Sequence, residues 1–359
     1  MIILRLKKID WWLLAAIFLL AAFSLTFLFG YSQRFFWRQL VWYVLALIII
    51  FVGINFNWRL IINQKGFLLV LYWLSIIFLI FSNLQNKLVR GTTSWLSIGN
   101  LQFEPAEIVK MTLILILASF FSRRHLEAWQ GKNILISSLY AWLPAILVAF
   151  QPDLGSAVVL IGIWAGFLLM SKISKKRLLW GTVFILVLLI LSWIFFLKPY
   201  QQDRIIGFLF PAHDPLGINY NAIQAKIAIG SAGFLGKGFM AGTQSQFHFL
   251  PEAQADFIFA ALVEEWGVFG GCLIILTFIV IIARLIQIGL KAKSNSWKFI
   301  SLGTVLALAI QFFLNLGSNL ALLPVTGITF PFLSYGGSSL LTNAFLISII
   351  QYINLESSI

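Results

Sequence analysis

Apolar runs long enough to cross a lipid bilayer as helices recur along the whole chain, separated by short polar breaks. One such helix needs about 20 apolar residues, because each residue advances it by about 1.5 Å through a hydrocarbon core of about 30 Å. The runs predict ten spans, at residues 10–30, 39–56, 66–82, 104–122, 133–150, 154–171, 178–197, 256–285, 299–323 and 332–354. The predicted fold is therefore an all-α integral membrane protein, a single polytopic domain over residues 1–359.

Composition excludes a soluble protein, since 60% of the 359 residues are hydrophobic, only 10% are charged and the mean hydropathy is +0.95. The first apolar run follows basic residues, as in a signal peptide, but Trp11 to Gly30 is longer than such a segment allows, which favours a retained span. Cys272 is the only cysteine and lies inside an apolar run, so neither a disulfide framework nor a cysteine metal site is expected.

The basic residues predict an orientation rather than a nucleic-acid partner, although the net charge is +13. Ten spans put both termini on one side, and sixteen of the 25 Lys and Arg residues lie in segments on that side. Eight lie on the other side, and Lys110 lies within a span. Because positive charge accumulates in cytoplasmic loops, both termini are predicted to be cytoplasmic.

The acidic residues have the opposite distribution, which indicates a functional site at the outer face. Nine of the twelve lie outside or near the outer ends of the predicted helices. Acidic residues contribute little to topology, so a site explains them better than an orientation rule does. The nine acidic residues outside or near the outer helix ends are Glu104, Glu107, Asp153, Asp203, Asp214, Glu252, Asp256, Glu264 and Glu265.

Residues 198–255 form one long segment of mixed polarity, predicted to be an extracytoplasmic loop between helices 7 and 8 with short re-entrant or surface helices. Within it, NYNAIQAKIAIG predicts a short helix that runs into the glycine-rich GSAGFLGKG. A Walker A loop is excluded, because it requires Gly at Ser231 and Ser or Thr at Gly238. Two interpretations stay open for these glycines: their backbone donors bind a phosphate, or they permit close packing at the membrane surface.

Carboxylates cluster around the start of the eighth predicted span. Asp256 alone would be interpreted as a helix N-cap. Glu264 follows eight residues later, about 12 Å deeper by helical rise, and Glu265 lies on the opposite side of the helix. Carboxylates are costly in hydrocarbon unless they face a polar cavity or a partner, so the cluster indicates more than capping.

Two further polar groups lie near outer helix ends. Glu104, Glu107 and Lys110 recur every three residues along one side of the fourth span, and the last two are placed to pair, either as a structural ion pair or beside a polar cavity. Asp153 either caps the sixth span or faces the same cavity. His213 and His248 lack metal-ligand spacing and are interpreted as surface residues.

Four segments in order along the chain carry a family resemblance: GTTSWLSIGNLQFEPAEIVK, QPDLGSA, DPLGINYNAIQAKIAIGSAGFLGKGFMAGTQSQFHFLPEAQADFIFAALVEEWG and LLPVTGITFPFLSYGGSS. Together they resemble the SEDS family of cell-wall proteins over nearly the whole chain. The IAIGSAGFLGKGF and GTQSQ stretches resemble its rod-shape branch more than its division branch.

The resemblance implies a peptidoglycan glycosyltransferase that polymerises lipid II on the outer face of the bacterial cytoplasmic (inner) membrane during cell elongation. It implies a class B penicillin-binding protein as partner, alongside other elongation-complex membrane proteins. The family's essential aspartate maps to Asp256, where Gln254 and Ala255 replace the usual histidine and threonine. The family's other matched positions are Glu107, Lys110 and Asp153.

The hypothesis for the chemistry makes Asp256 the base that takes a proton from the acceptor hydroxyl. Cations would stabilise the leaving pyrophosphate, with Lys110, Arg204, Lys226 and Lys237 as candidates and Glu264 in support. Glu107 and Asp153 would either hold Lys110 or, with Asp256, bind a divalent cation. Ser334 and the following glycines either approach this cavity or form a close-packed helix start.

Two other classes of function compete with an enzyme. A lipid II flippase would also place charges such as Glu107 and Lys110 within a span, but it should have functional charges on both sides and internal repeats, and no convincing repeat is found. A non-catalytic scaffold of a wall-synthesis complex would not need a carboxylate at Asp256.

Overall fold

A computed structural model of the chain is a bundle of long apolar helices. It describes residues 8–85, 92–98, 101–171, 179, 181, 183, 187, 190–197, 199–210 and 214–357. In this part of the chain eight helices are long and apolar enough to cross a membrane. The long helices are α1 (Trp11–Tyr31), α2 (Gln33–Asn55), α4 (Lys65–Gln85), α5 (Pro105–Arg124), α6 (Gly131–Phe150), α11 (Ile258–Lys291), α12 (Asn295–Asn319) and α13 (Gly337–Ser357).

Shorter elements complete the bundle. They are α3 (Trp58–Asn63), a hairpin of β1 (Leu96–Ile98) and β2 (Leu101–Phe103), the apolar α7 (Leu154–Leu169), α8 (Pro199–Leu209), α9 (Tyr220–Gly230) and α10 (Thr243–Gln246). Single turns of 3-10 helix at His125–Glu127 and π-helix at Ser192–Phe196 accompany them. Helix α9 lies where the sequence predicts a short helix, whereas the hairpin was not predicted.

The predicted all-α membrane fold is confirmed, with corrections at several boundaries. Helix α11 ends at Lys291 rather than 285, and α12 begins at Asn295 rather than 299. Helix α2 begins at Gln33 rather than 39, because the exposed Arg34 and Arg38 extend from a helix at the membrane surface without ending it. Helix α12 ends at Asn319 rather than 323, and α13 begins at Gly337 rather than 332. Residues 320–336 therefore form an irregular α12–α13 segment. Eight of the twenty residues of the predicted span 178–197 lie outside the described residues.

Contacts at one end of the bundle bring the start of α1 together with the ends of α11 and α13. Asp10 caps α1 by accepting a hydrogen bond from Leu13 N (2.9 Å), and its buried carboxylate pairs with Arg284 of α11. Gln351 of α13 bonds both backbone groups of Asp10 (3.0 and 3.1 Å). We call this the terminal end of the bundle and the opposite end the site end.

Helices α5 and α13 form the centre of the bundle. In the most apolar stretch of each, 78% of residues are buried, against 22% in α2 and 33% in α4 and α6. A helix that buries almost all its sides must place even its charged residues inside protein. Glu107 and Lys110 of α5 are therefore interior groups, whereas Arg123 and Arg124 at the end of the helix are exposed.

The end of α12 is built on a left-handed residue that is not glycine. Ala321 has φ +50°, and its N–H donates to Ser318 O (3.1 Å) while Leu322 N donates to Gly317 O (2.7 Å). This bonding pattern is a Schellman motif, in which glycine is preferred because a side chain is strained in the left-handed region. The motif sets where the α12–α13 segment starts.

Replacing this alanine with glycine is expected to stabilise the protein. Ala321→Gly should relieve the strain of a side chain in the left-handed region, although glycine also makes the unfolded chain more flexible. The net gain in the free energy of unfolding should be about 1 kcal/mol, which should raise the thermal midpoint in detergent by roughly 1–3 °C. The matched control is Ala292→Gly at the end of α11, where φ is −63° and glycine gains nothing. An equal change in both variants would contradict the prediction.

Candidate active site

Asp256 lies in a turn at the site end, just before α11. The helix begins at Ile258 with Phe257 in the N-cap position, so Asp256 is not its cap, which excludes the simplest structural interpretation. Its backbone N–H donates to Glu252 O (3.1 Å), and its side chain is half-buried. The Asp256 carboxylate therefore lies at the edge of the bundle and does not cap α11.

The backbone around Asp256 is fixed at three successive carbonyls. Tyr335 N donates to the oxygen of Gln254 (2.9 Å), and Ser334 Oγ donates to the oxygen of Ala255 (2.6 Å). The oxygen of Asp256 accepts from Asn315 Nδ2 (2.9 Å) and from Asn319 Nδ2 (2.8 Å). Ser334, for which a place at the cavity and a close-packed helix start were both left open, thus bonds the backbone that carries Asp256.

Glu107 and Lys110 form the predicted ion pair, one turn apart on α5, with an N–O distance of 2.5 Å. Their side chains are only 9% and 3% exposed. Gln311 Nε2 of α12 donates to Glu107 Oε1 (3.4 Å). The pair is thus tied to α12 inside the protein, where breaking it would leave a costly unpaired charge.

One face of α12 connects this ion pair to Asp256. Gln311, Asn315 and Asn319 are spaced by four residues, so they lie above one another on the helix, about 6 Å apart along its axis. Gln311 contacts Glu107, and the two asparagines contact the Asp256 backbone. The ion pair therefore lies roughly one turn deeper in the bundle than the anchor of Asp256.

Asp153 and Glu104 form a second cluster of acidic side chains, also at the site end. Asp153 caps α7 through Ser156 N (3.0 Å), and Ser156 Oγ donates to Glu104 Oε1 (3.4 Å). Burial raises the pKa of Glu104 well above its ordinary value, and the Asp153 carboxylate raises it further. Burial also raises the pKa of Asp153. The geometry supports the capping interpretation of Asp153.

The α12–α13 segment brings this acidic group and Asp256 to the same place. A Cβ added at Gly155, at the start of α7, would lie 2.7 Å from Thr326 O. A Cβ added at Gly327, where φ is +74°, would lie 3.9 Å from Asp256 Oδ2. Residues 326–328 therefore lie between the start of α7 and the Asp256 carboxylate. Close approach requires glycine at Gly155, whereas at Gly327 it is the positive φ that favours glycine.

The raised pKa of Glu104 predicts a pH dependence of stability. A carboxyl group whose pKa is higher in the folded state contributes stability that is fully present below its unfolded pKa and is lost as the pH rises through its folded pKa. As the pH rises above the ordinary pKa of a glutamate, the thermal midpoint should therefore fall more steeply in the wild type than in Glu104→Gln. Glu127→Gln, at an exposed carboxylate, is the control. Parallel slopes in the wild type and Glu104→Gln would refute the assignment.

Glu264 organises the glycine-rich part of the long loop. Its carboxylate is fully buried and accepts from Lys237 Nζ (2.7 Å), Thr243 Oγ1 (3.0 Å) and Gln244 N (3.0 Å). A carboxylate at the N-terminus of α10 is favourable because helix N–H groups there lack intrahelical partners. Lys237 is therefore paired with Glu264, whereas the sequence predicted that it would contact the leaving pyrophosphate.

The loop also completes an interrupted helix. At Gly267, α11 departs from helical geometry (φ +73°, ψ −176°). Lys237 N and Gly238 N donate to the oxygens of Glu264 and Glu265 (2.9 and 3.0 Å). In return Val268 N and Phe269 N donate to the oxygens of Gly233 and Phe234 (both 3.1 Å). These bonds support the close-packing interpretation of the glycines, because the backbone N–H groups of Lys237 and Gly238 already donate to carbonyl oxygens of α11 and are not available to a phosphate.

Arg204 and Lys226 meet in a small pocket at the site end. It offers about 90 Å³ of space for water and is lined by both cations, by Asn219 and Asn221, and by Val325 of the α12–α13 segment. Val325 lies two residues from Gly327, which approaches Asp256. The structure thus groups these two predicted cations near the Asp256 side of the bundle and leaves Lys237 in its own cluster.

Two aspects of the site differ from what the sequence reveals. Within the described ranges there is no group of three or more His, Cys, Asp or Glu side chains that could hold a metal ion, so a divalent cation at Glu107, Asp153 and Asp256 stays a prediction. The amides Asn315 and Asn319 were not predicted. Their signal was two asparagines one turn apart within an apolar span, which is costly unless both are bonded.

The fold and this site define a polytopic membrane protein with a buried ion pair and an anchored carboxylate at one end of its helix bundle. The family model described as "Cell cycle protein", which unites FtsW, RodA and SpoVE, matches residues 4–359. The chain belongs to this family, the SEDS family that its motifs resemble.

Individual relatives agree with this assignment. The peptidoglycan glycosyltransferase MrdB of Escherichia coli K12 is 37% identical over 279 residues, covering 77% of this chain and 75% of that protein. A chain of a solved peptidoglycan synthase complex has a TM-score of 0.83 at 28% identity, covering 97% of this chain and 98% of that one. The rod shape determining protein RodA of Thermus thermophilus has a TM-score of 0.71 at 25% identity, with 96% of each chain covered.

Proposed function

We propose that this protein is a peptidoglycan glycosyltransferase that polymerises lipid II into glycan strands during cell elongation. The observation that carries the proposal is Asp256, whose backbone is fixed at three successive carbonyls one turn from a buried ion pair. Such fixation is what a catalytic carboxylate requires, because a base must be held within hydrogen-bond reach of the proton it removes. The name of the E. coli relative supports the same activity.

In the proposed reaction, Asp256 accepts the proton of the acceptor sugar hydroxyl as the hydroxyl oxygen attacks the anomeric carbon of the donor. The bond from that carbon to the lipid pyrophosphate breaks, and the pyrophosphate leaves with the electron pair. Arg204 and Lys226, which share a pocket, are the exposed cations placed to bind its negative charge. Lys110, held by Glu107, adds a positive charge deeper in the bundle.

We further propose that the site end faces outward from the bacterial inner membrane and that both termini are cytoplasmic. The excess of Lys and Arg in loops of the terminal end supports this orientation. A class B penicillin-binding protein is the proposed partner, since a structurally similar chain belongs to a peptidoglycan synthase complex. Lipid II and undecaprenyl-linked glycan would reach the site from the outer leaflet.

The test is lipid II polymerisation by the purified protein, with and without a class B penicillin-binding protein, followed as glycan strands on a gel. Strands in reactions that contain the protein, and none with the partner alone, are the expected result. If no strands form, transport of a labelled lipid II across a vesicle membrane separates the flippase from the scaffold. Transport without polymerisation would replace the proposal with the flippase.

A further inference from the structure

We propose that Asn315 is a positioning residue for the reaction, which sets the Asp256 carboxylate relative to residues 326–328; this rests on the proposed function. Asn315 lies on α12 and is fully buried. Its Nδ2 donates to the oxygen of Asp256 (2.9 Å) and to the oxygen of Ile328 (2.8 Å). An amide nitrogen carries two hydrogens, so both are used to join two chain segments.

The orientation of this amide is fixed by its neighbour. Asn319 Nδ2 lies within hydrogen-bond distance of the oxygen of Asp256 (2.8 Å), of Asn315 O (2.9 Å) and of Asn315 Oδ1 (3.2 Å), while Asn319 Oδ1 accepts from Ala260 N (3.0 Å). Rotating the Asn315 amide by half a turn would place its oxygen against two carbonyl oxygens. The pair therefore forms a network in which each donor meets an acceptor, as burial in an apolar bundle requires.

The bonded atoms distinguish positioning from general support. The two carbonyls that share Asn315 belong to the proposed base itself and to the residue after Gly327, the glycine nearest Asp256 Oδ2. Asn315 is thus the amide that bonds both the backbone of Asp256 and the 326–328 stretch, whereas Asn319 bonds only the first of the two. Because small misplacements of a reacting group lower rates steeply, this amide should affect turnover more than substrate binding.

The kinetic test compares Asn315→Ala with a matched variant, Gln351→Ala. Gln351 is also a fully buried amide that bonds two backbone groups, but it does so at Asp10 of the terminal end. We expect Asn315→Ala to lower kcat for lipid II polymerisation about 10- to 100-fold, with KM within about twofold. Gln351→Ala should keep its kcat although it loses comparable thermal stability. Equal kcat in the two variants at equal stability would overturn the proposal.

A second readout does not depend on catalysis. In a Cys272→Ser background, Asp256→Cys provides a single thiol whose rate of modification by a membrane-impermeant maleimide reports the geometry at this position. Asn315→Ala should change that rate by about threefold or more, and Gln351→Ala should leave it unaltered. Unchanged rates in both would refute positioning by Asn315. Absence of strands from the wild type would instead defeat the proposed function, while the thiol result would still decide the role of Asn315.

Discussion

Asp256→Asn is expected to abolish glycan-strand formation while leaving the protein folded. The substitution keeps the size of the side chain but removes the negative charge and the proton acceptor, and loss of a general base typically lowers rates by about 10²- to 10⁴-fold. Folding should survive because Asn315 and Asn319 bond the carbonyl of Asp256, which every residue possesses. The measurement is strand formation on a gel, with the thermal midpoint in parallel.

The control for this variant comes from the same long loop. Asp214 is a carboxylate that accepts from Gly217 N (3.0 Å) and Ile218 N (3.1 Å) in an exposed turn. Asp214→Asn keeps one of the two acceptor oxygens in this exposed turn, where asparagine is also a favoured residue, and should polymerise lipid II at the wild-type rate. Full activity of Asp256→Asn would mean that the base is another group; inactivity of both variants would show that the loop tolerates no amide exchange.

The second large effect is expected at Lys110. Lys110→Met leaves the Glu107 carboxylate buried without its partner, and breaking a buried pair in this way costs about 3–5 kcal/mol. We expect a marked fall in the thermal midpoint together with loss of strand formation. Both losses follow from the position of the pair within one of the two most buried helices of the described residues.

A double substitution separates the two causes. Glu107→Gln combined with Lys110→Met removes both charges, so most of the lost stability should return. If the positive charge also serves the pyrophosphate, activity stays low despite the restored midpoint. Recovery of strand formation in the double variant would assign the ion pair a purely structural role.

The spans were predictable because hydrocarbon imposes length and apolarity on each helix independently of its neighbours. The Glu107–Lys110 pair was predictable for a related reason, since three residues along a helix determine proximity. Both are local properties of sequence. The alternatives left open at Asp153 depended on the same local pattern; the bond from Ser156 N supports capping, and a place beside the cavity stays a prediction.

The network around Asp256 was not predictable from local patterns. Asn315 precedes Ile328 by 13 residues and follows Asp256 by 59, and nothing in an apolar run states which distant carbonyl an amide will meet. Ser334 meets Ala255 across 79 residues. Hydropathy is likewise insensitive to a single glycine, so the interruption of α11 at Gly267 was hidden inside a long apolar stretch.

That interruption has a consequence for how the protein is made. A helix broken within a membrane leaves backbone groups that lipid cannot satisfy, and here residues 233–238 supply the missing partners. The loop precedes α11 in the chain, so it leaves the ribosome first and must stay near the bilayer until α11 arrives. Backbone bonding around Gly267 is therefore complete only once the loop and the helix have met, and not when α11 inserts on its own.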